Sequence, residues 1–369
     1  MRKIFLITER RADYSRFKPI LEIIRKDPEL TYDLVVTGMH LKKEHGMTVR
    51  EIEKDGFEIY DSFEMFLEND DTGASMVRSF ANALIGVSKV LNKSKPDIIL
   101  SGFDIAANFA VTVAGAHMNI PVAHIQGGEV TGTIDESIRH AMSKFSHYHF
   151  AANKDACDRL IRMGEIPKNV FDVGCPSLDA ILNVEDDNNI LSKYNLEEPY
   201  FLMIQHPVTS EIKDSEFQIS QTLEAISESG VKVLIILPNN DAGYSNIMDK
   251  INNSNVQSVN SLSISDYVNL LKRSEGLIGN SSSGIHETAT FNIPTINIGT
   301  RQQGRLRPKN VLDVGYDKQE IKDAIKFCKR IGKKHFENPY GDGKSSQRIV
   351  DLLKSIDISN NIIQKRITY

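Results

Sequence analysis

Residues 97–125 read DIILSGFDIAANFAVTVAGAHMNIPVAHI, and this stretch decides the fold. It begins and ends with short apolar runs, at 97–100 and 121–125, and a longer segment lies between them. Short apolar runs that alternate with longer segments of helical period are typical of βαβ units, in which helices cover both faces of a parallel sheet. The stretch therefore predicts an α/β fold.

The same alternation continues in both directions along the chain. It predicts a first series of strands at 3–8, 33–37, 97–100, 121–125, 147–151 and 170–173, with helices at 17–25, 74–91 and 155–163. After an acidic, Asn-rich stretch at 183–195, it predicts a second series at 200–204, 232–237, 276–279 and 295–298.

This pattern predicts two doubly wound Rossmann-like domains, 1–176 and 177–346, that face each other across a cleft. A C-terminal helix at about 347–369 can pack back on the first domain. Ligands of open α/β sheets lie beyond the carboxyl ends of the strands. We therefore expect the chemistry in the residues that follow each strand.

The composition excludes several classes of protein. A formal net charge of −5 offers no basic field for nucleic acid or an anionic membrane. The first apolar run is too short for a signal peptide, and no run approaches the ~20 residues of a membrane span, so we expect a cytoplasmic protein. The three widely spaced cysteines predict neither a disulfide framework nor a metal pair.

A Ser-rich turn, 279–287, follows one of the strands of the second series and is predicted to open a helix. Small residues, hydroxyls and free N–H groups at a helix start suit a diphosphate, although a Ser N-cap on an ordinary helix is the simpler alternative. A carboxylate one turn inside that helix, Glu287, is costly beside phosphate unless it accepts from hydroxyls such as a ribose diol. The candidates for nucleotide binding are Ser281, Ser282, Ser283, Gly284 and Glu287.

A basic loop, 299–308, follows the next strand and carries three arginines within seven residues. Planar guanidinium donors can close on an anionic ligand, and a solvated basic loop is the alternative. Because this loop lies next to the Ser-rich turn in sequence, we favour a ligand and select Arg301.

The densest run of ionisable residues and glycines, 124–140, also follows a strand. Asp135 has two interpretations: a catalytic acid, or the N-cap of a helix at 136–145 with Arg139 as its i,i+4 partner. The cap interpretation does not account for Glu129. Asp104 and His206, each after a strand, can be turn residues or can meet these acids in the cleft.

Two common cofactor sites lack sequence support. Gly343-Lys344-Ser345 resembles the end of a P-loop, but the required earlier glycine is Asn338. The chain also has no G-x-G-x-x-G turn and no H-E-x-x-H helix. We therefore expect no redox cofactor and no metal.

Taken together, the motifs resemble those of the hydrolysing UDP-N-acetylglucosamine 2-epimerases of sialic-acid and other nonulosonate biosynthesis. The resemblance rests on their order and spacing, in Arg11-Ala12-Asp13-Tyr14-Ser15, the run 124–140, Gln205-His206-Pro207, Pro238-Asn239-Asn240-Asp241, Asn280-Ser281-Ser282-Ser283-Gly284 and Gly299-Thr300-Arg301-Gln302. It implies a GT-B-like pair of domains and release of UDP and N-acetylmannosamine from UDP-N-acetylglucosamine. Members of this fold are commonly homodimers or homotetramers.

The resemblance also implies residue roles. Asp104, Asp135 and His206 are expected at the reacting sugar, with Glu129 and Gln126 in the same run, and Ser281, Ser282 and Glu287 on the nucleotide. Arg11, Asp13, Asn239 and Arg301 are the further binding candidates. In several family members a glutamate occupies the position of Gln126, whose amide cannot transfer a proton.

The implied reaction eliminates UDP across C1–C2 to give a 2-acetamidoglucal, to which water then adds with inverted configuration at C2. Carboxylates would stabilise positive charge at C1, while hydroxyls and arginines would stabilise the departing diphosphate. The same reaction on UDP- or GDP-linked diacetylbacillosamine is an alternative. A non-hydrolysing 2-epimerase, a GT-B glycosyltransferase and a nucleotide-sugar-binding regulator without turnover are more distant alternatives.

Overall fold

The computed structural model describes residues 1–66, 72–238 and 241–369. The chain folds into two compact units. The first unit contains Met1–Glu129, Asp135–Ala180 and Tyr340–Tyr369, and the second contains Val130–Ile134 and Ile181–Pro339. Within the described residues, no helix is both long and apolar enough to cross a bilayer.

The first unit is built on a seven-stranded parallel sheet with the order β3-β2-β1-β4-β5-β6-β7. Its strands are β1 (Arg2–Thr8), β2 (Leu30–Val36), β3 (Ile59–Ser62), β4 (Ile98–Gly102), β5 (Val122–Ile125), β6 (Tyr148–Ala151) and β7 (Val170–Asp172). The strand order reverses between β1 and β4, so this unit has a topological switch point there.

Helices of the first unit connect these strands. They are α1 (Arg11–Lys26), α2 (Val49–Lys54), α3 (Gly73–Ser94), α4 (Ala106–His117), α5 (Ile134–Phe145), α6 (Lys154–Arg162) and α7 (Pro176–Leu182), together with α14 (Ser345–Ser355). Short 3₁₀ turns lie at Gly38–Leu41, Lys43–His45, Pro167–Asn169 and Asn360–Ile362.

Strand β1 shows why both faces of this sheet are covered. Its alternate residues point to opposite faces. Ile4 and Leu6 belong to a buried cluster that includes Phe17 of α1 and Ile349 of α14, whereas Phe5 belongs to a second cluster formed with α3 and α4. The near-continuous apolar run that predicted this strand is therefore the run of a strand buried on both sides.

The second unit is built on a six-stranded parallel sheet with the order β10-β9-β8-β11-β12-β13. Its strands are β8 (Phe201–Ile204), β9 (Val233–Ile236), β10 (Gln257–Val259), β11 (Gly276–Gly279), β12 (Thr295–Ile298) and β13 (Val311–Val314). Its helices are α8 (Ile190–Lys193), α9 (Ser215–Ser229), α10 (Tyr244–Asn252), α11 (Ile264–Arg273), α12 (Ser283–His286) and α13 (Lys318–Ile331), with 3₁₀ turns at Ile212–Asp214 and Thr288–Phe291.

The predicted pair of doubly wound parallel sheets is confirmed. Three strands were not predicted from the sequence, β3, β10 and β13, and they lie at sheet edges with few buried residues. The prediction of a helix over 347–369 was wrong in its extent. Helix α14 ends at Ser355 because Ile356 is extended, and the Asp357 carboxylate accepts the Ser359 N–H in the turn that follows.

Candidate functional site

The turn after β1 holds Arg11 and Asp13 by local contacts. Both carboxylate oxygens of Asp13 accept backbone N–H groups, from Glu9 at 2.9 Å and Arg10 at 2.8 Å. These bonds satisfy orphan donors at the start of α1. Arg11 forms an ion pair with Glu51 of α2. The structure therefore gives Asp13 a helix-capping role, and ligand binding by Arg11 and Asp13 remains a prediction.

Asp104 follows β4, beside the switch point, and forms an ion pair with Arg139 of α5. Oδ2 of Asp104 lies 2.5 Å from Nη2 of Arg139, whose side chain is only 2% exposed, against 21% for Asp104. Nη1 of Arg139 donates to the carbonyl of Glu129 at 3.0 Å. A buried guanidinium requires such partners because an unpaired buried charge is strongly destabilising.

These contacts change the interpretation of Asp135. Helix α5 begins at Ile134, so Asp135 lies in its first turn and is not the N-cap of a helix that begins at Glu136. Arg139, which we considered as the i,i+4 partner of Asp135, reaches Asp104 on a different strand end. The structure thus brings together Asp104, Arg139 and the backbone of Glu129.

The turn that bears Asp104 is fixed by buried bonds to its neighbours. The side chain of Asn108 accepts from the Gly102 N–H at 3.1 Å and donates to the Ile7 carbonyl at 3.2 Å. The Glu9 carboxylate accepts the Ala107 N–H at 2.9 Å, at the start of α4, where a negative charge is favourable. The position of Asp104 is therefore set by both β1 and α4.

Gln126, directly after β5, is buried with a positive φ of 60°. Its Oε1 accepts from Nη1 of Arg16 at 3.2 Å, and its Nε2 donates to Sγ of Cys175 at 3.3 Å. The Arg16 guanidinium also lies 5.0 Å from the centre of the Phe103 ring. An amide does not neutralise the guanidinium, and within the described residues Arg16 makes no ion pair.

Sequence reasoning missed Arg16, although it lies one turn beyond Asp13 in the same helix. The burial of Cys175 raises the pKa of its thiol to about 11, so the group beside Gln126 is a neutral thiol at neutral pH. In this corner of the first unit the polar partners of Gln126 are the Arg16 guanidinium and the neutral Cys175 thiol, and the Glu129 carboxylate is close enough to raise the pKa of that thiol further.

In the second unit, Asn280 connects the segments that follow three strands. Its side chain accepts the His206 N–H at 2.7 Å and donates to the His206 carbonyl at 2.9 Å. Its own carbonyl accepts from Gln302 at 2.9 Å and from Arg301 at 3.3 Å. Two predicted site residues, His206 after β8 and Arg301 after β12, therefore both form hydrogen bonds with the buried Asn280, which follows β11.

Gly279 makes this arrangement possible. Its φ is 124°, and a Cβ there would collide with the carbonyl of Ile204 on the neighbouring strand. Only glycine allows the end of β11 to approach β8 this closely.

The Ser-rich turn differs from the prediction. A single helical turn, α12, follows it, and Glu287 ends that turn before the 3₁₀ segment Thr288–Phe291. The chain tightens there, and the Thr288 hydroxyl donates to the Gly284 carbonyl at 2.8 Å. Four helical residues sum to little macrodipole, so the diphosphate would depend on hydroxyl and N–H donors.

The hydroxyls in this turn are close together. The Oγ atoms of Ser281 and Ser283 lie 3.0 Å apart, and the Ser283 N–H donates to the Ser281 Oγ at 3.3 Å. Glu287 is buried near Tyr267 of α11. Burial first, and then the negative charge of Glu287, raise the pKa of the Tyr267 hydroxyl well above its usual value. Glu287 is thus a buried carboxylate beside a neutral phenol.

Glu211 is a further residue of this unit that sequence reasoning missed. Its carboxylate accepts from the Thr300 hydroxyl at 2.5 Å, the Tyr316 hydroxyl at 2.9 Å and Gln218 Nε2 at 2.7 Å. It therefore fixes the turn that carries Arg301. The available signal was an acidic residue five positions after His206.

The three arginines of the basic loop have different surroundings. Nη2 of Arg301 lies 4.0 Å from Oδ2 of Asp241. Arg305 donates to the Gln302 side chain at 2.8 Å, and Arg307 forms a half-exposed ion pair with Asp313. The Gly132 N–H donates to the Arg301 carbonyl at 3.0 Å, and a Cβ at Gly132 would collide with the Thr300 carbonyl. Asn239 lies outside the described residues.

Comparisons with known proteins place the chain in a family. The family model described as UDP-N-acetylglucosamine 2-epimerase matches residues 22–354. The chain belongs to this UDP-N-acetylglucosamine 2-epimerase family, which confirms the resemblance predicted from the motifs.

Curated relatives match over nearly their whole length. A Legionella pneumophila protein named UDP-N,N'-diacetylbacillosamine 2-epimerase (hydrolyzing) is 35% identical, with 99% of each chain covered. A Neisseria meningitidis UDP-N-acetylglucosamine 2-epimerase is 32% identical, with 99% of this chain and 98% of the relative covered. The protein is therefore an epimerase of this family.

Solved structures support the same fold. The chain is similar to a Methanocaldococcus jannaschii UDP-GlcNAc 2-epimerase in complex with UDP-GlcNAc and UDP, with a TM-score of 0.83, 20% identity and coverage of 95% of this chain and 99% of that one. A Staphylococcus aureus protein solved with UDP gives a TM-score of 0.79 at 22% identity, with 96% of each chain covered. At these identities the likeness confirms the GT-B-like fold alone.

Proposed function

We propose that this protein is a hydrolysing 2-epimerase that converts UDP-N-acetylglucosamine and water into UDP and N-acetylmannosamine. The observation that carries the hydrolysing reaction is the match, over 99% of both chains, to a relative named as a hydrolysing 2-epimerase, and the family model and the Neisseria relative, both named for UDP-N-acetylglucosamine, support the substrate. The residues after the strands of each unit are of the types that this chemistry requires. No metal or redox cofactor enters the reaction as we propose it.

Cleavage of the C1–O bond comes first in this proposal, because the C2 proton of the intact sugar is only weakly acidic. We assign stabilisation of the departing diphosphate to Arg301 and to the hydroxyls of Ser281, Ser282 and Ser283. Preorganised donors stabilise charge that develops in the transition state. The Glu211 and Asn280 contacts support this assignment because they fix the turns that carry these donors.

We assign removal of the C2 proton to Asp104. It forms an ion pair with Arg139, and a carboxylate in this position can accept a proton and can stabilise positive charge at C1. A weak base suffices here because loss of UDP leaves an oxocarbenium ion whose C2 proton is strongly acidic.

Hydration of the 2-acetamidoglucal then needs a proton at C2 and a hydroxide equivalent at C1. Asp135, in the first turn of α5, and His206 are the candidates for returning the proton. The buried Glu287 is assigned to the ribose hydroxyls, since a carboxylate can accept from both members of a diol. Gln126 is assigned to holding Arg16, because its amide cannot carry a proton.

The same reaction on UDP- or GDP-linked diacetylbacillosamine is the second candidate. The Legionella relative carries that name at 35% identity. A Campylobacter jejuni relative named GDP/UDP-N,N'-diacetylbacillosamine 2-epimerase (hydrolyzing) is 32% identical, with 91% of this chain and 89% of the relative covered. Sialic-acid or other nonulosonate biosynthesis, a cytoplasmic location and a homodimeric or homotetrameric state remain predictions.

A substrate panel tests the proposal. The protein is incubated separately with UDP-N-acetylglucosamine and with the UDP- and GDP-diacetylbacillosamines, and the products are followed by NMR. We expect UDP and free N-acetylmannosamine from the first substrate, with solvent deuterium at C2 when the reaction runs in deuterium oxide.

Each alternative has its own outcome. Return of UDP-N-acetylmannosamine with an intact C1–O bond would identify a non-hydrolysing epimerase, and product that forms only with an added acceptor would identify a glycosyltransferase. UDP-sugar binding without any release of UDP would support a regulator. Turnover of a diacetylbacillosamine nucleotide alone would replace the proposed substrate.

A further inference from the structure

The C-terminal tail, residues 356–369, follows α14 and packs against the first unit. The Tyr148 hydroxyl donates to the Asp357 carbonyl at 2.6 Å. Nδ1 of His147 accepts the Val122 N–H at 3.0 Å, so Nε2 carries the hydrogen and donates to the Ile363 carbonyl at 3.1 Å. These contacts tie the tail to the start of β6.

Lys365 is the one lysine of the tail, and it reaches the end of α5. Its Nζ donates to the Ser143 carbonyl at 2.8 Å and to Glu165 Oε2 at 2.6 Å. The Lys365 side chain is 23% exposed. Ser143 lies in the last turn of α5, where carbonyls lack partners within the helix and a positive charge is favourable.

Glu165 keeps the Lys365 ammonium group beside the last turn of α5. Its side chain is 3% exposed and also contacts Lys144 Nζ at 3.0 Å and His149 Nε2 at 2.8 Å. Burial alone would raise the pKa of this carboxyl, but the hydrogen bonds from His149 and Lys365 and the positive charge of Lys365 outweigh burial and lower it. Glu165 is therefore a charged anchor that connects α5, β6 and the tail.

The helix that Lys365 contacts is the one that carries the proposed site residues. Asp135 lies in its first turn, Arg139 one turn later and Ser143 one turn after that, so the three share one face. The Ser143 hydroxyl donates to the Arg139 carbonyl at 3.1 Å. Helix α5 contains twelve residues and no proline or glycine, the usual causes of a kink, so a displacement of its last turn is transmitted to its first.

We propose that Lys365 is a positioning residue, which fixes the last turn of α5 and thereby the placement of Asp135 and of the Arg139–Asp104 pair. This inference rests on the proposed function for its catalytic readout. Lys365 touches none of the reacting groups in this assignment. Its effect is therefore expected on turnover, while nucleotide binding, assigned to the second unit, stays unchanged.

The test compares Lys365→Met with Lys365→Arg and with a matched control, Arg348→Met. Arg348 also lies in the C-terminal segment, and it likewise contacts one carboxylate, Asp342 at 2.8 Å, and one carbonyl, Val173 at 3.2 Å. Neither of these partners lies on α5. Activity is expressed per UDP-binding site, counted by calorimetric titration, so that an unfolded fraction does not lower it.

We expect Lys365→Met to lower kcat by roughly 10- to 100-fold, the cost of misplacing catalytic groups by about 1 Å. KM and the Kd for UDP should be unchanged, Lys365→Arg should restore most of the rate, and Arg348→Met should keep the wild-type kcat. Loss of kcat equal to that of the control, or a rise in KM alone, would overturn the proposal.

Hydrogen–deuterium exchange gives a readout that does not depend on the substrate. Lys365→Met should speed exchange of the α5 amides, and Arg348→Met should not. Unchanged exchange in α5 would overturn the proposed contact, whether or not the enzyme turns over any sugar. An inactive wild-type protein would instead contradict the proposed function, so the two failures can be distinguished.

Discussion

The residues that follow the strands are organised differently in the two units. In the first unit, charged groups hold one another: Asp104 pairs with Arg139, and Arg11 with Glu51. In the second unit, the side chains that connect these segments are mostly neutral amides and hydroxyls, such as Asn280, Ser281 and Ser283, and the Glu211 carboxylate among them accepts from neutral donors.

The difference follows from the proposed roles, which are proton transfer in the first unit and diphosphate binding in the second. A proton-transfer site depends on the charge state of its carboxylates, and a guanidinium neighbour fixes that state. A diphosphate site needs many donors with fixed directions, and neutral donors supply these without a charge that must be compensated when the ligand is absent. The comparison therefore predicts that substitutions of the Asp104 and Asp135 carboxylates change turnover, whereas substitutions of Asn280 and Glu287 in the second unit change stability or binding.

The largest effect is expected from Asp104→Asn and from Asp135→Asn. An amide retains the size of the carboxylate but cannot accept a proton, so each change should reduce kcat by about 10²–10⁴-fold. UDP binding should remain near normal because the nucleotide is assigned to the second unit. Kinetics with the active substrate, together with calorimetric UDP titration, measures both quantities.

Asp33→Asn is the matched control for these two variants. Asp33 is a buried aspartate of β2 that accepts from the Ser94 hydroxyl at 2.5 Å, in the same unit but not in a segment that follows a strand. Its kcat should stay normal. Full activity of Asp104→Asn would remove the carboxylate from the mechanism and leave Asp104 only as a partner of Arg139.

The next effect concerns stability. Asn280→Ala removes the two bonds between the Asn280 side chain and the His206 backbone and leaves a buried N–H and a buried carbonyl without these partners. Each unsatisfied buried group costs about 1–3 kcal/mol, so the second unit should lose roughly 2–6 kcal/mol of unfolding free energy. Chemical denaturation measures the loss.

The contrasting variant is Asn280→Asp, which keeps the acceptor for the His206 N–H but replaces the donor to the His206 carbonyl with a second oxygen and adds a buried negative charge. It should be no more stable than Asn280→Ala. Equal stability of Asn280→Ala and wild type would mean that water replaces the side-chain amide, and the proposed neutral framework would then not depend on Asn280.

Glu287→Ala should have a smaller effect and act on binding alone. Loss of a hydrogen bond to a charged group is expected to weaken UDP binding by about 1.5–3 kcal/mol. Glu320→Ala is the control, since this exposed carboxylate of the same unit accepts the Gly315 N–H at 2.9 Å and has no role in the proposed nucleotide site. UDP affinity that is equal in both variants would exclude Glu287 from the nucleotide site.

Much of the fold could be predicted from the sequence because the central strands are buried on both faces. Residues 201–204 and 122–125 are entirely buried, and all of them except His124 are apolar. A run of that kind has few other interpretations. The edge strand β13 could not be predicted, because its Val311-Leu312-Asp313-Val314 is only partly buried and mixes apolar and charged residues.

The sequence indicated which segments carry the candidate site but not which residues contact one another there. The rule that ligands lie beyond the carboxyl ends of strands selected Asp104, His206 and the Ser-rich turn. The partners of these residues could not be found in this way, because Arg139 and Asp104 are 35 positions apart and Asn280 and His206 are 74 positions apart. Pairings over such separations depend on the tertiary fold.

The smallest effect is expected from Gln126→Glu, which tests whether the first unit uses the charge of Arg16, whose side-chain partner here is an amide. A carboxylate at this position would form an ion pair with Arg16 in place of the 3.2 Å hydrogen bond from the guanidinium to the amide. If the substrate uses the guanidinium charge, KM should rise up to about tenfold, a change of ~1.4 kcal/mol. Cys175→Ala is the companion variant, because it removes the thiol that accepts from Gln126 Nε2 but adds no charge beside Arg16, and its KM should stay close to wild type. An equal KM in Gln126→Glu and wild type would mean that the Arg16 charge contributes nothing to binding, and the contrast between the two units would then rest on the Asp104–Arg139 pair.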